Sequence, residues 1–162
     1  MKNLSIIAAI GKNNELGYKN RLIWDIKEDL QFFKKKTTNA YVVMGSKTYL
    51  SLPGKLKNRK YIILTLEPLE VDEDVLLFND LEKLLEHIKL INEEIFIIGG
   101  GQIYKLFLPY ASKMYLTEID ATEDGADTYF PEINNSEWKC IKGEQLEESN
   151  IKYSHNEYIR KN

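Results

Sequence analysis

Asp29 stands where a carboxylate needs a reason. Residues 22–36 read Leu22-Ile23-Trp24-Asp25-Ile26-Lys27-Glu28-Asp29-Leu30-Gln31-Phe32-Phe33-Lys34-Lys35-Lys36. At helical spacing Ile26, Leu30 and Phe33 form an apolar stripe, and Asp29 lies along it with Phe32 at its flank. Lys27, Gln31 and Lys34 point the other way, and the three closing lysines suit the negative end of the helix dipole. A carboxylate among apolar groups is costly without a partner. It should titrate high and attract a cationic or amidine-like ligand group, which makes it a candidate proton-handling residue. An ordinary first-turn acid reaching water would use the same residue type, although Asp25 and Glu28 are better placed for that task.

A second candidate is the run Ile95-Phe96-Ile97-Ile98-Gly99-Gly100-Gly101-Gln102-Ile103-Tyr104. A short, mostly β-branched run reads as a strand buried on both faces. Three glycines follow, and then a helical apolar spacing begins. The first helical N–H groups have no partner inside the helix, and glycine lets a pyrophosphate approach the backbone. The dinucleotide fingerprint G-x-G-x-x-G is not met, because Tyr104 stands at the third glycine position. A turn that only packs strand against helix would look the same.

Two further segments carry chemistry. Tyr41-Val42-Val43-Met44-Gly45-Ser46-Lys47-Thr48 repeats the order strand, glycine, helix start, but lacks the first glycine of a P-loop and has Ser46 before Lys47. It reads as a second phosphate-facing turn or as a hydroxyl-capped βα turn. Residues 53–60 form a basic loop with Lys55, Lys57, Arg59 and Lys60. Arg59, just before a strand, is placed to clamp a carboxylate, while a solvated charge run is the plain alternative.

These residues need a framework. Apolar runs at 4–10, 41–44, 61–66, 75–78, 95–98 and 113–119 read as strands, and helices are expected from 26, from 46, from a cap at Asn79 or Asp80, and from 101. Residues 11–21 read as a long polar loop of the lid or binding type. Residues 138–145 and 150–159 alternate as a C-terminal hairpin. The result is an α/β fold of three layers. Its central sheet is mixed and mainly parallel, it ends in an antiparallel hairpin, and helices cover both faces. The 162 residues fit one domain, 1–162.

Net charge is −3, which argues against nucleic acid as the main partner. A single cysteine, Cys140, excludes an intrachain disulfide and fits a reducing, cytoplasmic setting. The apolar run at 4–10 is too short for a membrane span and reads as a strand. The two histidines, His87 and His155, stand alone in sequence and with one cysteine give no metal set. His87 is expected on the wet side of its helix.

In order and spacing, these pieces resemble the dihydrofolate reductases of bacteria over essentially the whole chain. The matching residues are Ile7-Ala8-Ala9, Leu16-Gly17, Trp24, Asp29-Leu30 with Phe33, and Val43-Met44-Gly45 with Thr48. They continue with Arg59-Lys60, Ile98-Gly99-Gly100-Gly101 with Tyr104, Leu116-Thr117 with Ile119, and Asp127-Thr128 before Phe130-Pro131. The resemblance implies reduction of 7,8-dihydrofolate to tetrahydrofolate by NADPH, with hydride transfer to C6 and protonation of N5, by a monomer that antifolates inhibit. It makes Asp29 the acid of the pterin pocket, with Thr117 its hydroxyl neighbour and Trp24 a third catalytic residue.

The same resemblance assigns the pockets. Ile7, Ala8, Leu30, Phe33, Lys34, Leu52, Leu56, Ile98 and Tyr104 would line the substrate site, and Arg59 would take the glutamate-tail carboxylate. The cofactor would lie against Ala9, Leu16, Gly17, Asn20, Gly45, Lys47, Thr48, Thr65, Leu66, Gly99, Gly100, Gly101, Gln102, Ile103 and Tyr104. Three departures stand out. Ile23 and Lys27 replace usual prolines. Ser46 replaces a frequent arginine. Leu66-Glu67 follows Thr65 where a serine or arginine is common, and a carboxylate there opposes a phosphate.

Overall fold

Side-chain alternation along the buried strands sorts the apolar residues into two sets, and each set needs its own cover. The computed structural model describes residues 1–19, 21–52 and 56–162. In chain order its elements are β1 (Leu4–Ile10), β2 (Glu15–Tyr18), β3 (Arg21–Leu22), α1 (Lys27–Thr37), β4 (Tyr41–Gly45), α2 (Ser46–Ser51), β5 (Lys60–Leu64), β6 (Leu76–Phe78), α3 (Leu81–Ile88), β7 (Ile95–Gly99), α4 (Gly101–Phe107), β8 (Lys113–Ile119), β9 (Thr128–Tyr129), β10 (Trp138–Ile141), β11 (Gln145–Glu148) and β12 (Ile151–Arg160). A 3-10 turn at Leu108–Tyr110 follows α4.

Among the described residues the main sheet runs β10-β12-β8-β1-β7-β4-β5-β6, with β11 also pairing β12. The neighbours from β8 through β6 are parallel. Strand β12 runs antiparallel to β8, β10 and β11. This is the expected α/β fold with a mixed, mainly parallel sheet.

Parity then assigns the faces. Ile6, Val43, Ile62 and Ile97 pack with Leu84, Leu85 and Ile88 of α3 and Ile103 and Phe107 of α4. Their sequence neighbours Ile7, Val42, Met44, Tyr61, Ile63 and Phe96 pack on the other side with Phe32 and Phe33 of α1 and Tyr49 of α2. Helix α3 starts as expected, with the Asp80 carboxylate accepting from Glu82 N at 2.9 Å.

Three local expectations are corrected. Residues 11–21 are not a plain loop, because β2 pairs with β3 and with β9 in a small antiparallel sheet. The partner strand lies more than a hundred residues away, so local composition cannot announce it. Residues 138–145 are two strands rather than one. Both pair with β12, and the break lies at Gly143, where a Cβ would sit 2.1 Å from His155 O. His87 is half-buried, its ring centroid 5.4 Å from that of Phe78, rather than on the wet side of α3.

The hairpin β11–β12 turns at Ser149 and Asn150, both at positive φ (51° and 65°), which matches the twist of the strands it joins. The contact at Gly143 involves backbone that cannot swing aside. Gly143→Ala should therefore destabilise the protein by about 2 kcal/mol, about 5 °C in a thermal melt. Gly125→Ala meets only the Glu123 carboxylate at 3.6 Å and should leave the melt nearly unchanged.

Candidate active site

The site forms where α1 crosses the sheet at β1 and β8. Helix α1 ends its apolar face differently from the expected stripe. Ile26 is buried and Phe32 and Phe33 are partly covered, but Leu30 is 45% exposed. Asp29 sits on the covered face, its side chain 22% exposed. Thr117, buried on β8, donates its hydroxyl to Asp29 Oδ1 at 2.6 Å. Burial pushes the Asp29 carboxyl above its ordinary range, and the charge of Glu28 adds to this; the Thr117 bond and the charge of His155 oppose it.

Tyr104 of α4 closes the floor. Its hydroxyl is buried and donates to Ile7 O at 2.8 Å. Burial, with the nearby Asp29 charge second, raises its pKa and keeps the phenol protonated. Ile7, Phe33, Leu52, Leu56 and Ile98 all belong to one apolar cluster, whereas Ala8 and Leu16 pack with the opposite one. Ala9 joins Trp24, Ile26 and Tyr153 in a third cluster beneath the 11–24 segment.

That segment is pinned from both ends. Glu15 is buried, and its carboxylate accepts from Asn13 N at 2.7 Å and Glu123 N at 2.6 Å. Burial alone would raise its pKa, but backbone N–H groups, that of Glu123 foremost, hold it below the usual range. Asp127 accepts from Lys19 N at 2.9 Å. A Cβ at Gly11 would lie 2.5 Å from both Glu15 Oε1 and the Trp24 ring, so glycine is required there. Helix α1 is capped not by Asp25 or Glu28 but from outside, by Glu148 of β11. Its carboxylate accepts from Lys27 N at 2.7 Å and Glu28 N at 3.1 Å.

The two glycine turns face each other. A Cβ on Gly100 would lie 3.6 Å from Thr48 Oγ1, one on Gly45 would lie 3.0 Å from Ile103, and one on Gly101 would meet Thr128 at 2.9 Å and Leu16 at 3.8 Å. Gly99 has φ +124°, open only to glycine. Among the described residues neither α2 nor α4 has a side-chain cap at its start. A pyrophosphate between these turns would meet backbone rather than side chains, so the residues fit a dinucleotide.

Other candidates lie further out. Gly17 pairs with Leu22 and Thr128. Lys34, Lys47 and Gln102 are exposed, and Leu66 is 89% exposed beyond the end of β5. The Thr65 hydroxyl is engaged by the backbone of Glu67. Arg59 reaches α1, donating to Lys57 O, Lys34 O and Thr37 Oγ1. Asn20 lies outside the described residues.

Sequence reasoning missed Glu28, Tyr153 and His155. His155 stacks on Phe32 (centroids 3.9 Å, planes 9° apart), with Nδ1 2.8 Å from Thr117 Oγ1 and Nε2 2.7 Å from Glu28 Oε1. The only hint was period two along 151–159, which puts Tyr153 and His155 on one face.

Fold and site together define an α/β protein with one carboxylate on the covered face of α1 and two glycine turns that approach each other. A family model described as Dihydrofolate reductase matches residues 3–160. A dihydrofolate reductase of Buchnera aphidicola subsp. Acyrthosiphon pisum is 42% identical over 141 residues, 86% of each chain. That of Bacillus subtilis is 37% identical over 142 residues, 88% of this chain and 83% of the relative. A dihydrofolate reductase type 15 of Escherichia coli is 36% identical over 153 residues, 94% and 95%. The chain belongs to the dihydrofolate reductase family, whose enzymes reduce dihydrofolate with a nicotinamide cofactor. No helix among the described residues is long and apolar enough to cross a membrane.

Because the Asp29 pKa is raised by folding, ionising Asp29 opposes the folded state. That opposition is absent below the usual carboxylate range and grows as pH rises through the raised value. Asp29→Asn should therefore raise the melting temperature at neutral pH and leave it close to the parent's in acid. Melts of both proteins across pH check this.

Proposed function

We propose that this enzyme catalyses NADPH-dependent reduction of 7,8-dihydrofolate to 5,6,7,8-tetrahydrofolate, acting as a single-domain, cytoplasmic monomer that antifolates block. The observation that carries the reading is the pairing of the largely covered Asp29 with the buried Thr117, in a fold that also brings two glycine turns close together.

In this mechanism Asp29 binds the pterin's 2-amino group and N3, and Thr117 fixes the carboxylate's orientation. When bound, the reduced nicotinamide supplies the hydride that reaches C6. Asp29, through a water, supports delivery of the proton to N5. Ile7, Leu30, Phe33, Leu52, Leu56, Ile98 and Tyr104 hold the rings and keep bulk water away. Trp24 and the strands β2 and β3 close the nicotinamide side. Arg59, already oriented by Thr37, offers its guanidinium to the glutamate-tail carboxylate, with Lys34 nearby. Gly45, Lys47 and Thr48 on one turn, and Gly99 through Tyr104 on the other, cradle the phosphates.

Preference for NADPH over NADH is weakened in this reading. Ser46 offers no cation to a 2′-phosphate, and the exposed Glu67 beside Leu66 opposes one. Lys47 is the compensating charge.

Absorbance loss of NADPH that depends on dihydrofolate tests the activity. Asp29→Asn should cut turnover at neutral pH by orders of magnitude, about 100-fold or more, and near-normal turnover would refute its role. Ser46→Arg combined with Glu67→Lys should raise the NADPH-to-NADH ratio of kcat/KM about tenfold, roughly the worth of one good charged contact. A parent enzyme already strongly selective for NADPH would overturn the weakened-preference reading.

A further inference from the structure

Asp29 does not end at Thr117. In the β8–β12 ladder Thr117 stands directly opposite His155. The Thr117 hydroxyl lies 2.6 Å from Asp29 Oδ1 and 2.8 Å from His155 Nδ1. His155 Nε2 lies 2.7 Å from Glu28 Oε1, and Tyr153 donates its hydroxyl to that same oxygen at 2.8 Å. Phe32 stacks flat on the imidazole and holds its plane. The His155 side chain is 16% exposed.

Counting hydrogens restricts this chain of contacts. A hydroxyl has one proton. If Thr117 gives it to an ionised Asp29, the contact to Nδ1 needs a hydrogen on Nδ1. A bare Nε2 facing a carboxylate oxygen would set lone pair against lone pair, so Nε2 carries a hydrogen as well. His155 is then an imidazolium between two carboxylates.

Among the other arrangements with the same number of protons, one that satisfies every contact places a proton on Asp29. Asp29 holds a proton and gives it to Thr117 Oγ1, Thr117 gives its own to Nδ1, and a neutral imidazole keeps Nε2–H on Glu28. The two arrangements interconvert by one concerted shift. The Nδ1–H bond breaks as a new O–H forms on Thr117, while the old Thr117 O–H breaks and an O–H forms on Asp29. No electrons are exchanged and no co-reactant is consumed.

We propose that His155 is a positioning residue for the reaction, sharing one proton with Asp29 across the Thr117 hydroxyl and so setting the pH at which Asp29 ionises. The proposal rests on Asp29 being the reacting carboxylate, as read above. The charged and titratable surroundings support it. Helix α1 faces His155 with Glu28 and Asp29, and carries Lys36 one turn beyond Phe32, 5.8 Å from that ring's centroid. Strand β11 brings Glu148 to the start of α1 beside Glu28. Strand β12 itself contributes Tyr153, which burial and the Glu28 contact keep protonated. From α4, Tyr104 adds a phenol near Asp29. Strand β8 contributes only the uncharged Thr117 at this point. The nearest groups are thus acidic, and a charged imidazole among them draws Asp29 toward its ionised form.

The test uses the whole ligand-free protein, labelled with ¹⁵N. Imidazole ¹⁵N shifts followed through a pH titration report how many ring nitrogens of His155 carry hydrogen. Both should be protonated where Asp29 is ionised. Asp29→Asn removes the charge partner and should lower the His155 titration midpoint by about one pH unit. Reciprocally, His155→Phe keeps the stack on Phe32 but removes the cation. It should move the ionisation governing the hydride-transfer step upward by about one unit. A His155 titration identical in parent and Asp29→Asn would overturn the proposal, and so would a His155→Phe profile superimposed on the parent's. The titration needs no turnover, so it stands even if dihydrofolate proves not to be the substrate. An active dihydrofolate reductase whose His155 ignores Asp29 defeats this proposal alone.

Discussion

The bond between the Thr117 hydroxyl and the Asp29 carboxylate is the contact on which the site depends. An acid on the covered face of a helix would be expelled toward water unless a donor met it inside. Thr117 supplies that donor from a buried strand, and a hydrogen bond to a charged group contributes about 2 kcal/mol. The bond ties α1 to β8 and fixes where the carboxylate points. Burial still biases the acid toward its neutral form, and the Thr117 bond opposes that bias without cancelling it.

The sheet makes that bond possible. Thr117 lies between Ala9 on β1 and His155 on β12, so one row crosses from the parallel part of the sheet into the antiparallel part. On the parallel side the row meets the small, apolar Ala9. On the antiparallel side Tyr153 and His155 reach α1 from a strand that the hairpin at Ser149-Asn150 returns into register. The same hairpin carries Glu148, which caps α1 at its open end. The C-terminal strands therefore act on the acid twice, through His155 and through the helix start.

The segment over the cleft follows a related logic. Its composition is that of a loop, yet it is held by β-pairing to Thr128-Tyr129 and by the buried Glu15 carboxylate, which three backbone groups keep ionised against the pull of burial. Glycine at position 11 allows Trp24 and Glu15 to approach the same backbone. Hydrogen bonds accepted by Asp127 and Glu15 reach across the chain to hold the segment.

The sequence by itself determined the α/β class, the strand–glycine–helix turns and the odd placement of Asp29, because each rests on periodicity within about a dozen residues. It also named Thr117, though only through resemblance, since nothing in Leu116-Thr117-Glu118 marks a hydroxyl partner. Leu30, expected within the apolar stripe, proved to be exposed. His155 looked like an isolated histidine, and Glu28 like an ordinary first-turn acid. Only the tertiary structure joined them, because their meeting depends on the register of β12 against β8 and on the angle at which α1 crosses both. A register between residues 38 apart, joined to a helix 88 to 127 residues away, leaves no local trace in the chain.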